Sequence, residues 1–109
     1  MNLEQAVAAA RCAEVTFAAT VSSNPRFFMG SRTHCLHETF KVATPSGSLE
    51  IVDNVSLAPK VPVLPGDTIE VRGEYIPRSQ HGPLVHWTHH DPTGRHEDGF
   101  IRFRGQVYA

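Results

Sequence analysis

Thr68-Ile69-Glu70-Val71-Arg72-Gly73-Glu74-Tyr75-Ile76, launched by the turn Pro65-Gly66-Asp67, decides the fold of this chain. Apolar Ile69, Val71 and Tyr75 alternate with charged Glu70, Arg72 and Glu74, the period of a strand with one face buried and one wet. Gly73 falls on the apolar face, where a glycine inside a strand signals a bulge or a tight bend.

The same alternation extends outward from this segment. Upstream, Val15, Phe17, Ala19 and Val21 stand opposite Thr16 and Thr20. Leu36, Glu38, Phe40 and Val42 alternate with His37, Thr39 and Lys41, and Pro45-Ser46-Gly47 turns them into Leu49 to Val52, which predicts a hairpin. Leu84 to His89 and Phe100 to Phe103 complete six candidate strands. Ser22 to Gly30, broken by Pro25, reads as a loop carrying Arg26 and the adjacent Phe27 and Phe28, and Asp53 to Pro65 as a proline-punctuated connection. At the start, Asn2 can cap a run of helix formers with Gln5 at the third helical position, which predicts one helix over residues 3–12. Six short strands and one helix in 109 residues predict a single mostly β domain over 1–109. The first choice is a small five- or six-stranded OB-like barrel with one short N-terminal helix, and the alternative is an open sheet with the helix across one face.

Composition narrows the functional classes. Lys+Arg 10 against Asp+Glu 11 leaves a net charge of −1, so any contact with nucleic acid must be local rather than driven by overall charge. Cys12 and Cys35 form no disulfide framework and read as free, buried thiols. The apolar run Ala6 to Ala10 is too short for a membrane span and lacks the basic flank of a signal peptide. The expectation is a cytoplasmic chain away from membranes, or an exported one if a leader precedes it. Glycines are scattered singly, with no phosphate-cradling loop, dinucleotide fingerprint or Ser-centred elbow.

The chemistry concentrates near the C-terminus. Of 7 histidines, His81, His86, His89, His90 and His96 fall between Gln80 and Glu97. In a straight strand His86 and His90 share a face but lie about 13 Å apart. A joint site therefore needs the Asp91-Pro92-Thr93-Gly94 turn to fold His96 back and His37 to arrive from another strand. Imidazoles suit a divalent metal, zinc first, with His86, His90 and His96 as candidate ligands. Without metal, His37, His86 and His90 could serve as acid and base in splitting a phosphodiester, with Glu74 and Asp91 to orient an imidazole or activate water. Arg32, Arg72 and Arg95 could grip a phosphate. The plainer reading puts Val85, Trp87 and His89 in the core and leaves His86, Thr88 and His90 on a polar surface. Cys35 shares a face with His37 and could act as a nucleophile, though a small buried hydrophobe is its simpler role.

Asp53-Asn54-Val55-Ser56-Leu57-Ala58-Pro59, Gly66-Asp67, Gly73-Glu74-Tyr75, His86-Trp87-Thr88-His89-His90-Asp91-Pro92, Gly94, His96 and Gly99 resemble an uncharacterised bacterial family, domain of unknown function 3465, over Gly30 to Tyr108. The resemblance implies a compact single domain, often exported. It maps a family histidine onto His37, three residues before Phe40, and an Asn-x-x-Leu-Ala-Pro run onto Asn54 to Pro59. The chain departs from the pattern at Asp53, where relatives resemble His-Asn, and at Gly99-Phe100, where they resemble Gly-Trp. The first departure removes an imidazole from any shared metal site. No activity comes with the resemblance.

Two functional expectations follow. One is a small, nuclease-like hydrolase of phosphodiesters, metal-dependent or not, with His37, His86, His90 and His96 converging beside Glu74 and Asp91. The other is a non-catalytic OB-type module for an oligonucleotide or other oligomer, with Trp87, Tyr75, Phe27 and Phe28 stacking and Arg32, Asn54, Arg72 and Arg95 among its ligand contacts.

Overall fold

The computed structural model describes residues 1–109. Its elements are α1 (Leu3–Ala9), β1 (Ala13–Val21), β2 (Arg26–Met29), β3 (Leu36–Thr44), β4 (Gly47–Asn54), β5 (Thr68–Ile76), β6 (Leu84–His86), β7 (Phe100–Phe103) and β8 (Gln106–Tyr108). Five strands close a barrel in the order β1-β3-β4-β6-β5, with β5 pairing back to β1. The β4–β6 pair is parallel and the other barrel pairs are antiparallel. The remaining three strands are additions to the wall: β2 lies beside β3, β7 beside β5 and β8 beside β7. The expected OB-like barrel with one N-terminal helix is what the chain forms.

Alternation along each strand sorts side chains to the two sides of the wall. Val15, Ala19 and Val21 from β1, Phe40 and Val42 from β3, Leu49 and Ile51 from β4, Ile69, Val71 and Tyr75 from β5 and Val85 from β6 are buried together in the core. Ile101 and Phe103 from β7, Val61 and Val63 from the connection after β4, and Leu3 and Ala6 from α1 complete it. The helix starts on a capping box: Gln5 N–H donates to Asn2 Oδ1 at 2.8 Å, and Asn2 N–H donates to Gln5 Oε1 at 3.0 Å. No helix is long and apolar enough to cross a membrane.

Several expectations need correcting. The helix ends at Ala9 rather than residue 12, because Ala10 turns into the left-handed region (φ 51°) and Arg11 is already leaving for β1. Arg26–Met29 is a strand, paired with Leu36–Thr39; its residues are all exposed, so backbone pairing and not burial holds it. Cys12 is exposed and Cys35 half-buried. Gly73 causes no bulge, since the β1 ladder runs unbroken through Val15↔Gly73. It marks instead where β5 changes neighbour, from β7 at Arg72↔Phe100 to β6 at Glu74↔His86.

The largest departure is at the end of β6. The strand stops at His86, and Trp87 adopts φ 56°, a conformation that bulky side chains rarely accept. That rotation turns Trp87 out of the core to a half-buried position and sends Thr88 inward, fully buried, where its hydroxyl donates to Asp53 Oδ1 at 2.9 Å. His89 is buried too, as expected. Two glycines permit this crossing: a Cβ on Gly73 would meet His86 O at 2.5 Å, and one on Gly99 would meet Trp87 O at 2.0 Å.

Candidate active site

The site lies on the outer face of the barrel wall, built by residues that alternate with the core. Register sets Glu14 of β1 beside Glu74 of β5, and Glu74 beside His86 of β6. Further round, Asn54 of β4 pairs with His37 of β3, and His37 with Phe28 of β2. One polar belt thus crosses six strands. Residues 87–99 loop over part of it.

A cleft of about 510 Å³ opens in this belt, lined by Arg32, His37, Asn54, His86, Trp87 and His89 among others. His86 Nε2 donates to Glu74 Oε1 at 2.7 Å, which leaves Nδ1 as its free nitrogen. His37 Nδ1 lies 3.0 Å from the Cys35 carbonyl; a carbonyl can only accept, so Nδ1 carries the proton and Nε2 is free. The Phe28 ring stacks on His37 with centroids 5.2 Å apart. Two imidazoles, each held by one nitrogen with the other unengaged, therefore line a single cleft with a guanidinium and an amide. His89 closes it; burial lowers the pKa of its imidazole, which keeps it neutral, and its Nδ1 donates to the His90 carbonyl at 2.7 Å.

Beside the cleft is a second grouping. Ligand atoms of Glu14, Glu74 and His96 lie within 4.8 Å of one another. His96 Nδ1 donates to the Glu97 carbonyl at 2.8 Å, so Nε2 faces Glu14 Oε1 at 3.3 Å, and Trp87 stacks on His96 with centroids 4.2 Å apart and planes at 9°. Burial raises the Glu14 pKa, and the nearby Glu97 and Glu74 charges add to the rise while His96 and Arg72 oppose it. Two carboxylates and an imidazole are a donor set that a divalent ion accepts, and the backbone carbonyl on the other imidazole nitrogen is the usual outer support of such a ligand. These three residues are the ones that could hold a metal.

The residues expected from sequence divide accordingly. His37, His86, Arg32, Asn54 and Trp87 line the cleft, and Glu74 holds His86. Of the expected metal ligands, His96 joins the group with Glu14 and Glu74, His86 is bound to Glu74, and His90 is exposed and belongs to neither set. Asp91 is the cap of the turn: its carboxylate accepts from Thr93 N and Oγ1, Arg95 N and His96 N. The Thr93 bonds above all hold its pKa down, to about 2. Arg72 spans Thr16 and Glu97 on the wall, away from the cleft. Arg95 is exposed and does not line this cleft. Tyr75 is buried and cannot stack on a ligand. Glu14 went unforeseen, and His89, expected in the core, also lines the cleft. Glu14 had only its place on the wet face of β1 to mark it, and its partner Glu74 is sixty residues on. Asp53 faces the interior, so an imidazole at this position would stand in the core and not in the outer cleft.

The family model described as "Protein of unknown function (DUF3465)" matches residues 25–109. That span holds every residue lining the cleft and leaves out α1, β1 and Glu14. No curated protein matches the chain.

Proposed function

We propose, on the premise that this chain belongs to the DUF3465 family of proteins of unknown function, that it hydrolyses phosphodiesters with His37 and His86 as its acid–base pair. The observation that carries this reading is the 2.7 Å bond from His86 Nε2 to Glu74 Oε1 at the wall of a cleft that also presents His37. A carboxylate on one imidazole nitrogen fixes the tautomer and stabilises the imidazolium that forms when the other nitrogen takes a proton. His86 is accordingly the base: its Nδ1 removes a proton from water as the water oxygen bonds to phosphorus. His37, held by Cys35 through Nδ1, is the acid in its imidazolium form, with a proton on each nitrogen: the Nε2 proton passes to the leaving oxygen as that P–O bond breaks, and the ring is left as the neutral Nδ1–H tautomer. Arg32 pairs with the non-bridging oxygens and Asn54 hydrogen-bonds to them. A divalent ion on Glu14, Glu74 and His96 would supply an activated water beside the same cleft.

Bis(p-nitrophenyl) phosphate is a direct probe. Turnover should persist in EDTA, follow a bell-shaped pH profile, and fall about 10²- to 10⁴-fold in kcat for His37→Ala and for His86→Ala, with melting unchanged. Turnover that survives in both variants overturns the assignment. Loss in EDTA with recovery on zinc, together with failure of Glu14→Gln, transfers the chemistry to the Glu14–Glu74–His96 group. A protein that binds but never cleaves leaves the non-catalytic OB-type reading.

A further inference from the structure

A second cleft, of about 580 Å³, adjoins the first, and Val52 lines both. Its walls are Arg26, Phe27 and Phe28 of β2, Thr39 and Lys41 of β3, and His81 of the loop before β6, among others. Arg26 pairs in register with Thr39 and Phe28 with His37, so Arg26, Phe28, His37, Thr39 and Lys41 share the outer face. Phe27 and Phe28 stay 46% and 45% exposed, although no core demands aromatics on a strand exposed along its whole length.

Two strand cations lie outside this region, and both are ion-paired, whereas the loop cations Arg11, Arg78, Arg95 and Arg104 are unpaired; what marks this cleft is unpaired strand cations beside exposed rings. Arg72 and Arg102 are paired with Glu97 and Glu70. Arg26, Lys41 and Arg32 have no carboxylate within ion-pair distance, and Lys60 sits over the Phe27 ring, 5.0 Å from its centroid. The one carboxylate lining this cleft, Glu50, is engaged by the Thr39 hydroxyl at 2.8 Å. Unpaired cations beside exposed aromatic rings fit a ligand that alternates anionic links with planar faces. A neutral sugar chain leaves the cations unanswered, and a duplex keeps its base faces stacked inside.

We infer that the two clefts form one groove for single-stranded nucleic acid, in which a base stacks on Phe28, Arg26 and Lys41 hold the adjacent phosphates, and the strand continues past His37 to His86. This rests on the proposed chemistry for its direction, since it carries a phosphodiester from the stacking platform to the acid–base pair. Phe28 then has a double place: one face carries the base and the other the His37 ring.

The test is fluorescence anisotropy with two labelled probes, ten-residue oligo-dT and oligo-rU with phosphorothioate linkages that resist cleavage, on the unaltered protein. At least one probe should bind, with duplex of the same length and chitohexaose failing to compete. Phe28→Ala should weaken binding about 5- to 100-fold, as loss of one base stack does. Arg26→Ala and Lys41→Ala should each reduce the salt slope by about 1. All three positions are exposed on the outer face, and unchanged melting of each variant confirms that only the groove was altered. No binding of either probe, or binding indifferent to Phe28→Ala, overturns the inference. Hydrolysis of bis(p-nitrophenyl) phosphate without strand binding removes the groove and keeps the hydrolase; strand binding without any hydrolysis does the reverse.

Discussion

Glu38 and Asp53 are neighbours in register on β3 and β4, and both turn into the barrel, fully buried. Each has one satisfied oxygen: Val61 N–H donates to Glu38 at 2.8 Å and Thr88 Oγ1 to Asp53 at 2.9 Å. The other oxygen of each has no partner. Burial, reinforced by the Glu38 charge and opposed by the Thr88 hydroxyl, pushes Asp53 up to about 7. Burial raises Glu38 as well. The sign follows from the proton each state holds. Between about pH 4 and 7 the unfolded chain releases the Asp53 proton while the folded one retains it, so stability falls across that window and stays low above it. The full swing is of the order of 4 kcal/mol. Asp53→Asn keeps an acceptor for Thr88 and removes the titration; urea unfolding at pH 5 and pH 8 should show a smaller difference than in wild type. An unchanged difference would assign the titration to another group.

At the scale of elements, the decisive piece is the segment from Trp87 to Gly99. It leaves β6 through a tryptophan at φ 56° and returns through Gly99, whose N–H donates to the His89 carbonyl at 2.9 Å. A Cβ on Gly99 would meet backbone atoms, Trp87 O at 2.0 Å and Arg72 O at 2.5 Å, which cannot rotate aside, whereas Gly94 (φ 70°) has open space around it. Gly99→Ala should therefore cost about 3 kcal/mol or more and release His96 from Trp87, while Gly94→Ala costs only about 1–2 kcal/mol of backbone strain. Thermal melts of the two variants that coincide would contradict this. How much of this was legible in sequence depends on the kind of signal. β1, β3, β4 and β5 could be read because half their residues are apolar at a period of two. β2 could not, because Arg26–Met29 buries nothing. β6 was read too long because its alternation, Val85 then Trp87, continues past the rotation that ends the strand. The cleft residues His37 and His86, and the Glu74 that holds His86, stood out by type, but their placement depends on cross-strand register, which no local pattern encodes.

At the scale of the whole molecule, closure depends on β1, which joins β5 at Ala13↔Tyr75 through Thr20↔Thr68 and touches β3 at Val21↔Val42. Deleting residues 1–24, all outside the family match, removes that wall and exposes the β5 edge, so the remainder should unfold or associate through the open strand. Size-exclusion chromatography and circular dichroism would reveal either; a monomer with native ellipticity would refute the claim that β1 is needed for closure. Because every wall strand gives alternate residues to the interior and to the outer belt, the two sets are locked in antiphase. A one-residue slip of the whole of β3 against its neighbours, for instance, would carry Phe40 outward and His37 inward together. Length changes are thus compatible with this protein only in its loops, whereas substitution can retune the interior and the groove separately, side by side along the same strand.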